Sequence, residues 1–204
     1  MPTDTKLRSS RSTIESELQR DFERFLAFFK MATAKVANEY MQLPVAGKEA
    51  PDYRERVYCY ELYHCLRTVI TDHRFPYTLS GEVDKTGHPY IRGNILDRVK
   101  PDFVVHAPGD MERNLVVIEV KPVVGTEKRG IRKDLRCLTA FRRIGPYRYA
   151  IYLIYGDDDQ KFAQIKAKAV SLGQELGEQE IDLNLIDLYL HRRGGQQAEK
   201  QDWF

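Results

Sequence analysis

The chain has 204 residues, 42% of them hydrophobic and 30% charged. At roughly 150 residues per domain this suggests one large domain with an appendage and excludes a disordered tail. Lys and Arg number 32 against 30 Asp and Glu, so the net charge of +2 does not mark a nucleic-acid binder, and any basic surface must come from clustering. Cys59, Cys65 and Cys137 are an odd set that argues against a disulfide framework and for a reducing, cytoplasmic setting. Cys59, His64 and Cys65 lack a second ligand pair and read as helix thiols rather than a zinc site. Met1 to Arg11 is polar without an apolar leader core, and no run approaches the roughly 20 apolar residues of a membrane span, so a soluble, unexported protein is expected.

In chain order, residues 1 to 11 read as a loose tail. Ser12, with Glu15 three residues on, forms a capping box for a first helix reaching about Gln42, with Ile14, Leu18, Phe22, Phe25, Leu26 and Phe29 at helical spacing. Pro44, Gly47 and Pro51 break that pattern. Asp52 and Glu55 cap a second helix to about Asp72, striped by Val57, Tyr60, Leu62, Cys65, Leu66, Val69 and Ile70.

Short β-type runs follow at Phe75 to Val83, Lys100 to His106 and Asn114 to Lys121, with turns at Lys85 to Pro89 and Ala107 to Arg113. Lys128 to Phe141 reads as a helix ended by Gly145-Pro146. Tyr147 to Tyr155 reads as an interior strand without an acid. Asp157 to Asp159 cap a helix to Leu176, Ile181 to Leu190 makes a last strand, and a polar tail runs from Arg192. The order α-α-β-β-β-α-β-α-β, without repeats, predicts one α/β domain. Its divisions are residues 1–50 (tail, helix and linker), 51–191 (the domain) and 192–204 (the tail).

The segment with chemistry is Lys100-Pro101-Asp102 followed by Val116-Val117-Ile118-Glu119-Val120-Lys121-Pro122. Strand alternation puts Val117, Glu119 and Lys121 on one face. If the two strands pair as a hairpin, Asp102 approaches Glu119, and two converging carboxylates repel unless a proton or cation lies between them. Hard oxygen donors in an incomplete shell favour Mg²⁺ or Mn²⁺, with water and a substrate phosphate completing it. An ammonium beside such an ion can orient the attacking water or offset charge on a phosphate oxygen.

The P-D-x16-E-x-K pattern, placed between helices, resembles the motif of the PD-(D/E)XK nuclease superfamily, the restriction-endonuclease-like fold. That resemblance implies an α-β-β-β-α-β core with a mixed sheet, here with an added N-terminal helix and a C-terminal α-β extension. It implies a metal-dependent nuclease, a DNA endonuclease in the leading reading. Asp102 and Glu119 would be metal ligands, the Val120 carbonyl a backbone ligand and Lys121 the catalytic lysine. Glu61, midway along the preceding helix, is the candidate extra acid, with Glu82 in reserve. Lys133 to Leu138 carries no Q-x-x-x-Y motif, which departs from the exonuclease-like branch.

The plain alternative is an exposed Glu119–Lys121 ion pair and a turn acid at Asp102. A strand apolar on both faces opposes it, because burying both charges without function is costly. From Glu127 to Arg148, eight basic residues face two acids, a local excess of six. Arg129, Arg132, Lys133 and Arg136 share one helical face, suited to a polyanionic backbone or simply to solvent. Tyr58, Tyr60 and Tyr63 are more often core than a base-stacking platform. The histidines form no constellation, and no phosphate loop or serine elbow is present.

Two other functional classes stay open. One is a catalytically silent nucleic-acid-binding or regulatory module on the same fold. The other is an assembly protein whose helix, with Phe22, Phe25, Phe28, Phe29 and Met31 on more than one face, either packs on the core or forms a homodimer.

Overall fold

A computed structural model describes residues 4–83, 93, 95–96, 99–145 and 147–204, with the side chains of 4–13 left out of the description. The expected turn at Lys85 to Pro89, Pro146 and the first three residues lie outside the described residues. Among the described residues, five α-helices, α1 (Asp4–Thr33), α2 (Asn38–Met41), α3 (Glu55–Asp72), α4 (Lys128–Arg143) and α5 (Asp159–Leu176), surround a mixed six-stranded sheet. Its strands β1 (Thr78–Gly81), β2 (Phe103–His106), β3 (Asn114–Pro122), β4 (Tyr149–Tyr155), β5 (Asp187–His191) and β6 (Glu199–Gln201) lie side by side in chain order. β1, β2 and β3 pair antiparallel, β3, β4 and β5 parallel, and β6 returns antiparallel to β5. The expected α/β class and mixed sheet are therefore observed.

Alternation along the central strands divides the core in two. Val116, Ile118, Val120, Ile151 and Leu153 pack with α1 and α3, whereas Val117, Tyr152 and Ile154 pack with α4 and α5. The two crossovers, β3-α4-β4 and β4-α5-β5, place both their helices on this second face, as parallel strands added in one direction require. Glu119 and Lys121, in step with Val117, belong to that second face at the carboxyl end of β3.

Several boundaries differ from expectation. The first helix begins at Asp4, so Ser12 lies inside it, and it stops at Thr33; a separate short helix α2 follows. Phe22, Phe25, Phe28 and Phe29 are all buried within the chain itself, so the aromatic side of this helix packs on the core, while Met31 is exposed. α3 starts at Glu55 rather than Asp52, because Asp52 is otherwise engaged: its backbone bridges Leu43 and its carboxylate holds Lys48 and Arg54. The last strand begins at Asp187 rather than Ile181, because a 3-10 turn, Leu183–Leu185, precedes it. The tail from Arg192 is not a detached polar segment. It adds β6, the Ala198 amide donates to Thr33 Oγ1 at 2.9 Å, and buried Trp203 donates from Nε1 to the Ile186 carbonyl at 2.7 Å.

Candidate active site

The β2–β3 register sets the centre of the site. Phe103 stands opposite Ile118, so Asp102, one residue earlier, stands opposite Glu119 and on the same face. One oxygen of Asp102 accepts from the Val120 amide at 2.7 Å, beyond the last ladder pair of β2. Asp102 and Glu119 are also near enough for each to shift the other's ionisation. Proline at 101 suits this strand entry, where no ladder donor is needed.

Glu119 is only 6% exposed. Burial, reinforced by Asp102 and Asp134, raises its pKa well above the ordinary carboxylate value, and a hydrogen bond with Cys137 only partly opposes this. Burial likewise raises Asp102, against the stabilising Val120 amide. Lys121 reaches between two helices. Its Nζ donates to Glu55 Oε2 at 2.8 Å and lies 3.5 Å from Asp134 Oδ2. Burial works against its charge, but Asp134 and Glu55 outweigh burial and the ammonium is stabilised overall.

Asp134 is 2% exposed, and its pKa is pushed up to about 7, first by burial, with Asp102 and Glu55 adding to it. Its Oδ2 and the buried Tyr152 hydroxyl, which sits on β4 opposite Glu119, both lack a hydrogen-bond partner. Glu55 and Asp134 thus pair with one ammonium, and Asp102 and Glu119 lie near enough to act on it through charge. Such a cluster is under-compensated, and buried polar atoms without partners are costly where nothing binds them.

Of the residues singled out in the sequence, Asp102, Glu119, Val120 and Lys121 come together. Glu61 does not join them. It lies six residues beyond Glu55, about 240° further around the helix, and its carboxylate meets the Cys65 thiol at 3.5 Å. Glu82 stays exposed and 3.7 Å from Arg56, on the rim of a cleft that includes Asp102. The acids that do reach Lys121 are Glu55 and Asp134. Asp134 had a readable signal: it falls three residues after Ile131 and one before Leu135, on the buried side of a helix whose other polar residues are mostly basic.

Arg129, Arg132 and Lys133 are exposed along α4, and Arg136 is half-buried with its Nε 3.1 Å from Glu180. These four line a shallow cleft of about 350 Å³ whose wall includes Cys137, a buried thiol near Glu119. The basic stripe shares its helix with Asp134, one of the two acids paired with Lys121. Tyr58, Tyr60 and Tyr63 separate: Tyr58 is fully buried and stacks on Tyr155, Tyr60 is 65% exposed, and Tyr63 is intermediate.

As a metal site, the cluster offers hard oxygen donors and orphaned buried polar atoms, which fit a divalent cation in chemistry. Among the described residues, however, no three Asp, Glu, His or Cys side chains are already arranged around a common point. Among the described residues, no helix is long and apolar enough to cross a membrane.

No protein-family model matches the chain, and no curated protein does. Among solved structures, the chain is similar to SfsA of Pyrococcus furiosus, solved in complex with Ca²⁺. The two share 11% identity over 81% of each chain, at a TM-score of 0.35, a likeness too slight to carry functional weight.

Proposed function

We propose that the chain is a divalent-metal-dependent phosphodiesterase acting on nucleic acid, in the manner of the PD-(D/E)XK nucleases, with DNA the leading substrate. The observation that carries this reading is a single lysine paired with Glu55 and Asp134, with Asp102 and the buried Glu119 near enough to act on it through charge, on the sheet face that also carries the basic helix. Asp102, Glu119 and the Val120 carbonyl would hold Mg²⁺ or Mn²⁺, and the ion would supply Lewis acidity toward water and phosphate. Glu55 and Asp134 take Lys121 from both sides and so fix its ammonium where it can orient water or meet charge developing on a phosphate oxygen. Arg129, Arg132, Lys133 and Arg136 would carry the flanking phosphates.

A second reading, a binding module without catalysis, draws on the absence, among the described residues, of a pre-arranged three-ligand group. One experiment separates the two: plasmid and single-stranded DNA and RNA are incubated with the purified protein and Mg²⁺, Mn²⁺ or a chelator. Cleavage that needs the ion and disappears in Glu119→Gln supports the enzyme. Binding without cleavage under every condition would leave the module.

A further inference from the structure

A second cleft, of about 340 Å³, opens on the far side of Asp102 from the basic stripe, lined by Tyr60, Tyr63, Gly81, Glu82, Phe103 and Cys59. Its walls are flat and apolar. Tyr63 and Phe103 lie near-parallel with ring centroids 6.3 Å apart, and Tyr60 presents its ring at 65% exposure, an unusual position for an aromatic with no packing role. The absence of a side chain at Gly81 leaves room here: a Cβ there would meet the Asp102 carbonyl at 3.5 Å, Tyr63 at 3.7 Å and Phe103 at 3.9 Å, the residues of the cleft itself.

The charge at its mouth selects the occupant. Glu82 is held at φ 45°, a left-handed backbone that costs a non-glycine residue energy, with its amide donating to the Asp102 carbonyl at 3.2 Å. Arg56, 3.7 Å from Glu82, offsets one of the two carboxylates here, and the acid left over disfavours a phosphate, whereas an uncharged flat ring with N–H donors on its edge suits both the walls and the rim. Such rings stack on tyrosine and phenylalanine irrespective of sequence. The volume suits a single ring system rather than a duplex end.

We propose that this cleft takes one unpaired nucleobase of the strand whose backbone crosses the carboxylate cluster, so that the preferred substrate is single-stranded or locally unpaired. The inference rests on the nucleic-acid reading above, but its test does not depend on catalysis. Single-stranded oligonucleotides carrying 2-aminopurine, or an abasic site, at successive positions are titrated against Glu119→Gln protein. One position should show quenched fluorescence, and an abasic site at that position should weaken binding on the order of tenfold.

Both signals should vanish in Tyr60→Ala and Gly81→Val and survive in Tyr60→Phe. Tyr60 is exposed, and at Gly81 a Cβ meets nothing closer than 3.5 Å; thermal melting checks that each variant folds, and Tyr60→Ala alone carries the test if Gly81→Val melts early. Quenching and abasic penalties indifferent to Tyr60 and Gly81, or no single-strand binding at all, would overturn the proposal. Plasmid cleavage by wild type that persists in either case would leave the nuclease reading standing, and base capture without any cleavage would remove the nuclease reading alone.

Discussion

Two places at the carboxyl ends of the parallel strands concentrate charge, and they resolve it in opposite ways. At the end of β4 and β5, a cavity of about 620 Å³ is lined by Gly156, Asp157, Arg192, Arg193, Lys48 and neighbours from α2. There the charges meet at the surface and cancel: Asp157 holds Arg193 at 2.5 Å, Arg192 lies on Asp159, and Lys48 holds Asp52 at 2.7 Å. At the end of β3, Glu119 and Asp134 are buried, Asp102 and Glu55 are partly so, and Lys121 is the one ammonium paired with Glu55 and Asp134. Volume favours the first place and unresolved charge the second. Buried charge is expensive and persists only where something else uses it, so the second is the better guide to chemistry.

The sharpest way to break this contrast is Lys121→Ala. The ammonium cannot ligate a cation, so its loss should leave divalent affinity near wild type, or raise it by removing repulsion, while cleavage falls by roughly 10²-fold or more. Mn²⁺ titration alongside a plasmid assay reads both. Metal affinity lost together with activity would instead make Lys121 a structural support of the acids.

The first place has its own buried titratable group, and its effect is on stability alone. His191, at the end of β5, is fully buried against the Tyr58 hydroxyl at 2.8 Å, and burial lowers its pKa from 6.5 to about 4. The unfolded chain therefore takes up a proton at this residue before the folded one does. The stability this residue contributes is complete above pH 6.5 and is lost as pH falls toward 4, by about 3 kcal/mol. Chemical denaturation at pH 7 and pH 4 should show wild type losing about that much more than His191→Phe. Equal losses would mean that His191 takes up its proton alike in the folded and the unfolded chain.

How far the sequence disclosed each place follows from range. The alternation of Val117, Glu119 and Lys121 is local, and with a hairpin it suffices to bring Asp102 alongside. Which helix acid reaches Lys121 is not local. It turns on where α3 begins, and that depends on the Leu43–Asp52 bridge and the capture of Asp52 by Lys48 and Arg54. With Asp52 available as a cap, Glu55 reads as its capping partner and Glu61 as the acid at mid-helix; with Asp52 removed, Glu55 is free to face the site. Asp134 was concealed by its basic neighbours, although its spacing from Ile131 and Leu138 places it on the buried side. β6, made of Glu199, Lys200 and Gln201, has no strand signature, because an edge strand is fixed by its partner β5 and by the anchoring of Trp203 rather than by propensity.

The basic stripe sharpens the comparison at intermediate scale, because it shares its helix with Asp134 and does not line the larger cavity. Replacing Arg129 and Arg132 together by Gln should weaken binding to all sequences alike and reduce the slope of log affinity against log salt by about two. Fluorescence anisotropy at several salt concentrations measures this. An unchanged slope would reduce α4 to a solvated helix face.

The smallest effect is expected at the cavity between α2 and the ends of β4 and β5. Asp157, one-third exposed, touches Arg193, which is two-thirds exposed, and pairs between groups so open to water are screened and contribute at most about 1 kcal/mol. The rigid element there is steric rather than ionic: Gly156 has φ 121°, and a Cβ on it would stand 2.5 Å from Val123 and 2.8 Å from Tyr53. Asp157→Asn keeps the side chain's volume and alters only its charge, so melting temperature, cleavage rate and salt slope should all stay close to wild type. Gly156→Ala, in contrast, should lower the melting temperature, because Val123 and Tyr53 must move. A large loss of cleavage in Asp157→Asn with the melt unchanged would reverse the comparison, making the larger cavity the place where the substrate is handled and leaving the carboxylate cluster without its proposed role.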